Sequence, residues 1–187
     1  MELTTLLDLK KSVFSLIKEE RQRQNGKFGN PPVNSPRRTW ITVIQEEIGE
    51  VSRAEIDQKP DQYVSELIQV AACIIYDLTD FEQGSSALVL EARFSENELM
   101  ELLDCWVLHE VHSCEWRSPR SWIIELGRCF GRLCEVAAQI EENEQSPVRT
   151  WEDKKLFVRN RYLDAGIEVA GTAILMILGV NMWDNYR

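Results

Sequence analysis

The chain has 187 residues, 44% of them apolar and 28% charged. That is enough for one ordinary domain, or two small units sharing a core, and it excludes a disordered or collagen-like chain. With 31 acidic against 21 basic residues the net charge is −10, which argues against a nucleic-acid polymer or a membrane surface as partner and leaves room for a small anionic ligand held through a divalent cation.

No basic segment followed by an apolar block opens the chain, so no secretory signal is expected. The first predicted helix covers roughly Leu6 to Gln24, where Leu6, Leu9, Val13, Leu16 and Ile17 recur at helical spacing. A loop rich in Gly, Pro and Asn follows over Asn25 to Asn34. Ser35-Pro36 reads as an N-cap with proline at the first helical position, opening a second helix to about Asp57. Pro60-Asp61 opens a third, to about Phe81, which Gln83-Gly84-Ser85-Ser86 ends. Ser95 with Glu98 is a capping box for a fourth helix, to about His112. Ser118-Pro119 opens a fifth, to about Glu142, and Thr150 with Asp153 a sixth, to about Trp183. The uncharged run Val169 to Trp183 falls short of the ~20 residues that span a bilayer and is expected to be a buried helix.

No strand-like alternation competes with these signals. The expected fold is all-α, a helical bundle of about six main helices. Cys73, Cys105, Cys114, Cys129 and Cys134 form no CxxC pair, so free thiols and a reducing, cytoplasmic setting are expected. His109, His112 and Cys114 lack a fourth zinc ligand at useful spacing and read as a basic end to the fourth helix.

The two halves resemble each other. Ser35-Pro36-Arg37-Arg38-Thr39-Trp40 answers to Ser118-Pro119-Arg120-Ser121-Trp122 with one residue deleted. Setting Trp40 on Trp122 places Ile44 on Leu126, Gly49 on Gly131 and Val51 on Leu133. Further on, Gln69-Val70-Ala71-Ala72 matches Glu168-Val169-Ala170-Gly171. A tandem duplication is expected, with residues 1–90 and 91–187 packed as an intramolecular pseudo-dimer. The alternative is that two amphipathic hairpins align this well without common origin.

The halves differ in their acids. On the second helix Trp40, Val43, Ile44, Glu47, Val51 and Ala54 fall on one side, which puts Glu47 inside the apolar arc and Glu50 at its edge. On the third, Tyr63, Glu66, Val70, Cys73, Asp77 and Phe81 share a face bordered by Gln69. Burying an unpaired carboxylate costs several kcal/mol. Helices joined by a short turn pack antiparallel and bring Glu47 and Glu50 opposite Glu66 and Gln69, with no lysine or arginine on those faces except Arg53 at the margin. A hard divalent cation with oxygen ligands relieves this, Mg²⁺ being the commonest. The alternative is a solvated acidic face.

Glu46-Glu47-x-x-Glu50, followed after a spacer by Glu66-x-x-Gln69, resembles the EExxE…ExxD signature of the MazG-like all-α nucleotide pyrophosphohydrolases. The stretches Glu20-Arg21-Gln22-Arg23-Gln24, Lys27-Phe28-Gly29 and Glu66-Leu67-Ile68-Gln69-Val70-Ala71-Ala72, with Trp40, are similar to the phage and bacterial branch of that family. The resemblance covers about Ile17 to Leu78. It implies Mg²⁺-dependent hydrolysis of a nucleoside triphosphate to the monophosphate and pyrophosphate, with Mn²⁺ as the alternative cation. It also implies Glu47, Glu50 and Glu66 as metal ligands, and Glu46 as a ligand or as the group orienting the attacking water. The family's last acid is Gln69 here, an amide that can ligate without charge. Asp77, two turns beyond it on the same face, is the candidate to compensate.

Between Arg21 and Gln45 lie Arg21, Arg23, Lys27, Arg37 and Arg38 and no acid. Arg21, Lys27, Arg37 and Arg38 are expected to reach the outer phosphates, and Phe28 or Trp40 to stack on a base. Trp40 also lies on the inward arc, where core packing is the alternative. In the second half Arg128, Cys129, Arg132 and Ala165 fall at Glu46, Glu47, Glu50 and Glu66, and only Glu168, opposite Gln69, keeps a carboxylate. Arg132 and Glu168 are expected to pair. Two readings compete with the hydrolase: a catalytically weak nucleotide-binding sensor, and a helical interaction protein that has lost the chemistry. Further homo-oligomer assembly, as the family shows, is compatible with all three.

Overall fold

Two stretches, 70–78 and 165–179, are buried on nearly every side, only Glu168 being half-exposed. A helix apolar all round has to be covered all round. These stretches become the middles of two helices about which the rest is arranged. The computed structural model describes residues 3–28, 37–84, 95–113, 118–144 and 151–184. Among the described residues there are six α-helices and no strand: α1 Leu3–Phe28, α2 Arg37–Ile56, α3 Pro60–Gly84, α4 Glu96–Ser113, α5 Pro119–Glu144 and α6 Trp151–Asp184. The protein is all-α, as its periodicity predicts.

One boundary differs from expectation. α1 continues through Asn25, Gly26 and Lys27 to Phe28, where the composition predicts a loop. A glycine inside a helix costs about 1 kcal/mol relative to alanine. The burial of Val13, Ile17, Arg21 and Gln24 along one face of α1 offsets it. The rest of that predicted loop, with the Ser35-Pro36 cap, lies outside the described residues. The capping box at Ser95 forms as predicted, with the Ser95 amide donating to Glu98 at 2.6 Å and the Glu98 amide donating to the Ser95 hydroxyl. Ser118 caps α5 by accepting from the Ser121 amide.

The turn between α2 and α3 sets the register of the acids. The Lys59 amide donates to the Ala54 carbonyl at 3.0 Å and the Gln58 amide to Glu55 at 3.2 Å, the paired pattern that closes a helix around a left-handed residue. That residue is Gln58, with φ of 54°. The chain reverses within three residues, and α3 packs back along α2.

α2, α3, α6 and α5 form a ring in which each helix packs on the next, and α2 closes against α5. α1 lies on α3 and reaches α6. α4 lies on α6 and reaches α3. The buried residues of all six helices form one continuous cluster. Approach is closest along α6. A Cβ on Gly166 would stand 2.9 Å from Leu78, and one on Gly171 would overlap the ring of Trp106. Polar contacts also cross between the halves. Lys10 pairs with Asp104, Arg21 with Glu96 and Arg120 with Glu55. The Tyr162 hydroxyl donates to Asp77 at 2.5 Å in the interior. Within α6, Asn160–Val180 is long and apolar enough to cross a membrane, and it is mostly buried in the bundle. Cys73, Cys105, Cys129 and Cys134 are free thiols.

Candidate metal centre

Glu47 and Glu50 stand one turn apart on α2, and Glu66 faces them from the second turn of α3. One carboxylate oxygen from each lies within 4.8 Å of the others. The helical phases predict this grouping. They do not predict the fourth acid beside it, Glu20 of α1. Its charge acts on both Glu47 and Glu66. Glu20 is held by a two-point contact from Arg23, at 2.6 and 2.7 Å, and by the Gln24 amide at 2.9 Å. Gln24 also donates to the Cys73 thiol of α3 at 3.7 Å, which ties α1 to the site. A signal for these residues exists in the sequence. Extending the Leu9, Val13, Ile17 stripe of α1 by two more turns lands on Glu20, Arg21 and Gln24.

Burial, reinforced by Glu50, Glu66, Glu46 and Glu20, pushes Glu47 up to about 7. Glu66 is raised as well, by burial first and then by its contact with Glu50. These are carboxylates held close together without enough positive charge among them. The Oε2 atom of Glu47 is buried and has no hydrogen-bond partner among the described residues. Buried polar atoms are normally satisfied, so an orphaned oxygen inside a carboxylate cluster fits a hard divalent cation, which oxygen donors of this type bind. Cys73 is pushed up to about 12, chiefly by burial. It is therefore a neutral packing group and not a nucleophile.

The remaining candidates separate. Gln69 donates its amide to Glu66, orienting that carboxylate. Glu46 is exposed and stands outside the three-carboxylate group. Asp77 is a correction. It shares the face of Glu66 but lies eleven residues on, roughly 16 Å along the axis, and its carboxylate accepts from Tyr162 in the core. It is a structural acid and does not join the cluster.

Arg21 is also repositioned. It is 4% exposed, with its guanidinium carbon 4.2 Å from the centre of the Tyr76 ring and its Nη2 3.6 Å from Glu96. Burial lowers its pKa, and Glu96 opposes the shift. Its Nε and Nη1 atoms are buried and have no partner among the described residues. On α2, Trp40 is half-buried and packs on the same tyrosine, ring centres 4.3 Å apart and planes tilted by 46°. Arg21, Tyr76 and Trp40 thus form a cation–aromatic wall. Trp40 is packed on one aromatic neighbour while remaining partly exposed. Lys27 is exposed near the end of α1. The side chains of Phe28, Arg37 and Arg38 lie outside the described residues, as do His112 and Cys114. His109 is exposed and sits 3.1 Å from Glu110.

In the second half Arg132 pairs with Glu168, as the alignment of the halves expects. Compared with known proteins, the chain matches no family model, no curated protein and no solved structure.

Proposed function

We propose that this chain is a divalent-cation-dependent nucleotide pyrophosphohydrolase that cleaves a nucleoside triphosphate between the α- and β-phosphates. The observation that carries this reading is the Glu47, Glu50 and Glu66 cluster, in which a buried oxygen of Glu47 has no partner. The resemblance of these acids and their spacing to the MazG-like signature supplies the reaction class.

In this reading Glu47, Glu50 and Glu66 hold Mg²⁺. When bound, the ion neutralises phosphate charge and makes a water more acidic. Gln69 fixes the rotamer of Glu66 through its amide. Glu46, exposed one residue from Glu47, takes the proton of the attacking water. Oxygen from that water bonds to the α-phosphorus, the bond from that phosphorus to the bridging oxygen breaks, and pyrophosphate leaves. Trp40 offers the base an aromatic face that Tyr76 and Arg21 hold rigid behind it. Lys27, with Arg37 and Arg38, supplies positive charge for the outer phosphates.

Pyrophosphate release from a panel of nucleoside triphosphates tests the reading. Release that requires Mg²⁺ is expected, and Glu47→Gln should reduce it by about a hundredfold with the helical circular dichroism unchanged. Absence of release from every nucleotide would overturn it. One observation favours a second reading. Where the family carries an acid, Gln69 is neutral and already engaged with Glu66, which suits a sensor that binds a nucleotide with Mg²⁺ and turns it over poorly. Mg²⁺-dependent nucleotide binding without pyrophosphate release selects that reading.

A further inference from the structure

The two halves pack alike. α1 lies on α3 and reaches α6, and α4 lies on α6 and reaches α3. Exchanging α1, α2 and α3 for α4, α5 and α6 therefore leaves the pattern of contacts unchanged. Alignment and burial agree with that exchange. Ile44 and Leu126 are both fully buried, as are Val51 and Leu133, while Tyr63 and Tyr162 hold corresponding buried places on α3 and α6.

The exchange carries the acidic site onto a defined place in the second half. Cys129 falls at Glu47, Arg132 at Glu50, Ala165 at Glu66, Glu168 at Gln69 and Thr172 at Cys73. Two meetings in the second half have counterparts in the first, Cys129 with Arg132 answering to Glu47 with Glu50, and Cys129 with Thr172 answering to Glu47 with Cys73. The Cys129 thiol is 3.7 Å from the Thr172 hydroxyl, matching the influence of Glu47 on Cys73. The Arg132 guanidinium contacts Glu168 and reaches 3.7 Å from Cys129. Its Nε is buried with no partner among the described residues. Arg128, at the position of Glu46, pairs with Glu125 on its own helix. In the first half the corresponding ground is a surplus of negative charge; in the second it holds a built-in cation.

We propose that the second half is a former copy of the acidic centre in which the Arg132 guanidinium stands where a divalent cation once sat, so that the chain has one cation site and not two. This rests on reading Glu47, Glu50 and Glu66 as cation ligands. An arginine is a sensible replacement. It is permanently charged, its planar fork matches a carboxylate, and it needs no ion from solution. Ala165 removes the third carboxylate, and Cys129 replaces the innermost one with a neutral group. The three changes fit together, since Arg132 supplies beside Glu168 the positive charge that the lost carboxylates no longer recruit.

The test restores the site in the full-length chain. Glu47→Gln with Glu66→Gln disables the first centre, and Cys129→Glu, Arg132→Glu and Ala165→Glu are then added on that background. Mn²⁺ is the probe, followed by the loss of the free-ion electron paramagnetic resonance signal and by thermal melting with and without the ion. The expected result is that the disabled chain binds no Mn²⁺, that binding returns on restoring the second site, and that Mn²⁺ raises the melting temperature of the restored chain alone. A restored chain that folds only with Mn²⁺ gives the same answer. A restored chain that folds without taking up Mn²⁺, or stays unfolded at saturating Mn²⁺, overturns the proposal. Wild-type protein that fails to take up Mn²⁺ overturns the proposed function instead, and the restored site still decides this inference by its own gain or absence of binding.

Discussion

Glu47 ionises near 4.5 in an unfolded chain and near 7 in the folded one, because burial and the neighbouring acids disfavour its charge. Between those values the folded state holds the extra proton, so stability is complete below about 4.5 and declines as the pH rises toward 7. Metal-free protein should melt a few degrees lower at pH 7.5 than at pH 5.5. Thermal melts should show Glu47→Gln flattening that slope and Mg²⁺ reversing it at the higher pH, since the ion competes with protons for the same oxygens. A slope unchanged in the variant would show that other groups produce it. Gln69→Asp tests the neighbouring position. The added charge should tighten Mn²⁺ about tenfold in a titration, because ligand charge sets affinity for hard cations, and should lower the stability of the metal-free form through repulsion with Glu66. The trio itself is legible in the sequence, because a period of 3.6 places each acid on an apolar arc. Glu20 with its Arg23 and Gln24 clamp is harder to read, since its role depends on how α1 docks onto α3. Asp77 is misread for a related reason. Periodicity reports the face of a helix and is silent on distance along it, and the partner that accounts for Asp77 is Tyr162 on α6.

Among the elements, the turn from α2 to α3 fixes which acids meet. It uses Gln58 in the left-handed region, a conformation that is unfavourable for residues with a Cβ and free of that penalty for glycine. Gln58→Gly should therefore stabilise the protein by about 0.5–1 kcal/mol in urea unfolding, with the Mn²⁺ affinity unchanged because the hydrogen bonds that set the register belong to the backbone. A loss of stability would mean that the Gln58 side chain contributes to the turn. Helix starts were the clearest sequence signals. The Ser95–Glu98 box and the Ser118 cap are local hydrogen bonds between residues three apart. The end of α1 was obscured because its continuation past Gly26 depends on contacts with other helices and not on local propensity.

At the scale of the molecule, α6 is approached closely by its neighbours at two glycines, Gly166 and Gly171. Trp106 lies so close to its backbone at Gly171 that an added Cβ has no room. Gly171→Ala should destabilise the fold by about 1–3 kcal/mol in urea unfolding, the usual range for overpacking, and a companion Trp106→Leu should recover part of the loss. Recovery would locate the strain at the α4–α6 contact; its absence would place it elsewhere along α6.

The single core through α3 and α6 also constrains how such a chain can change over generations. α3 of the first half and α6 of the second pack on each other, so the two halves share one continuous interior. Substitutions can remove chemistry from one half a residue at a time while the protein still folds. Deleting that half would expose the buried stretch of α3 to water in one event. Point substitution is therefore a gentler route of change for this chain than loss of a half, because it leaves the shared interior covered.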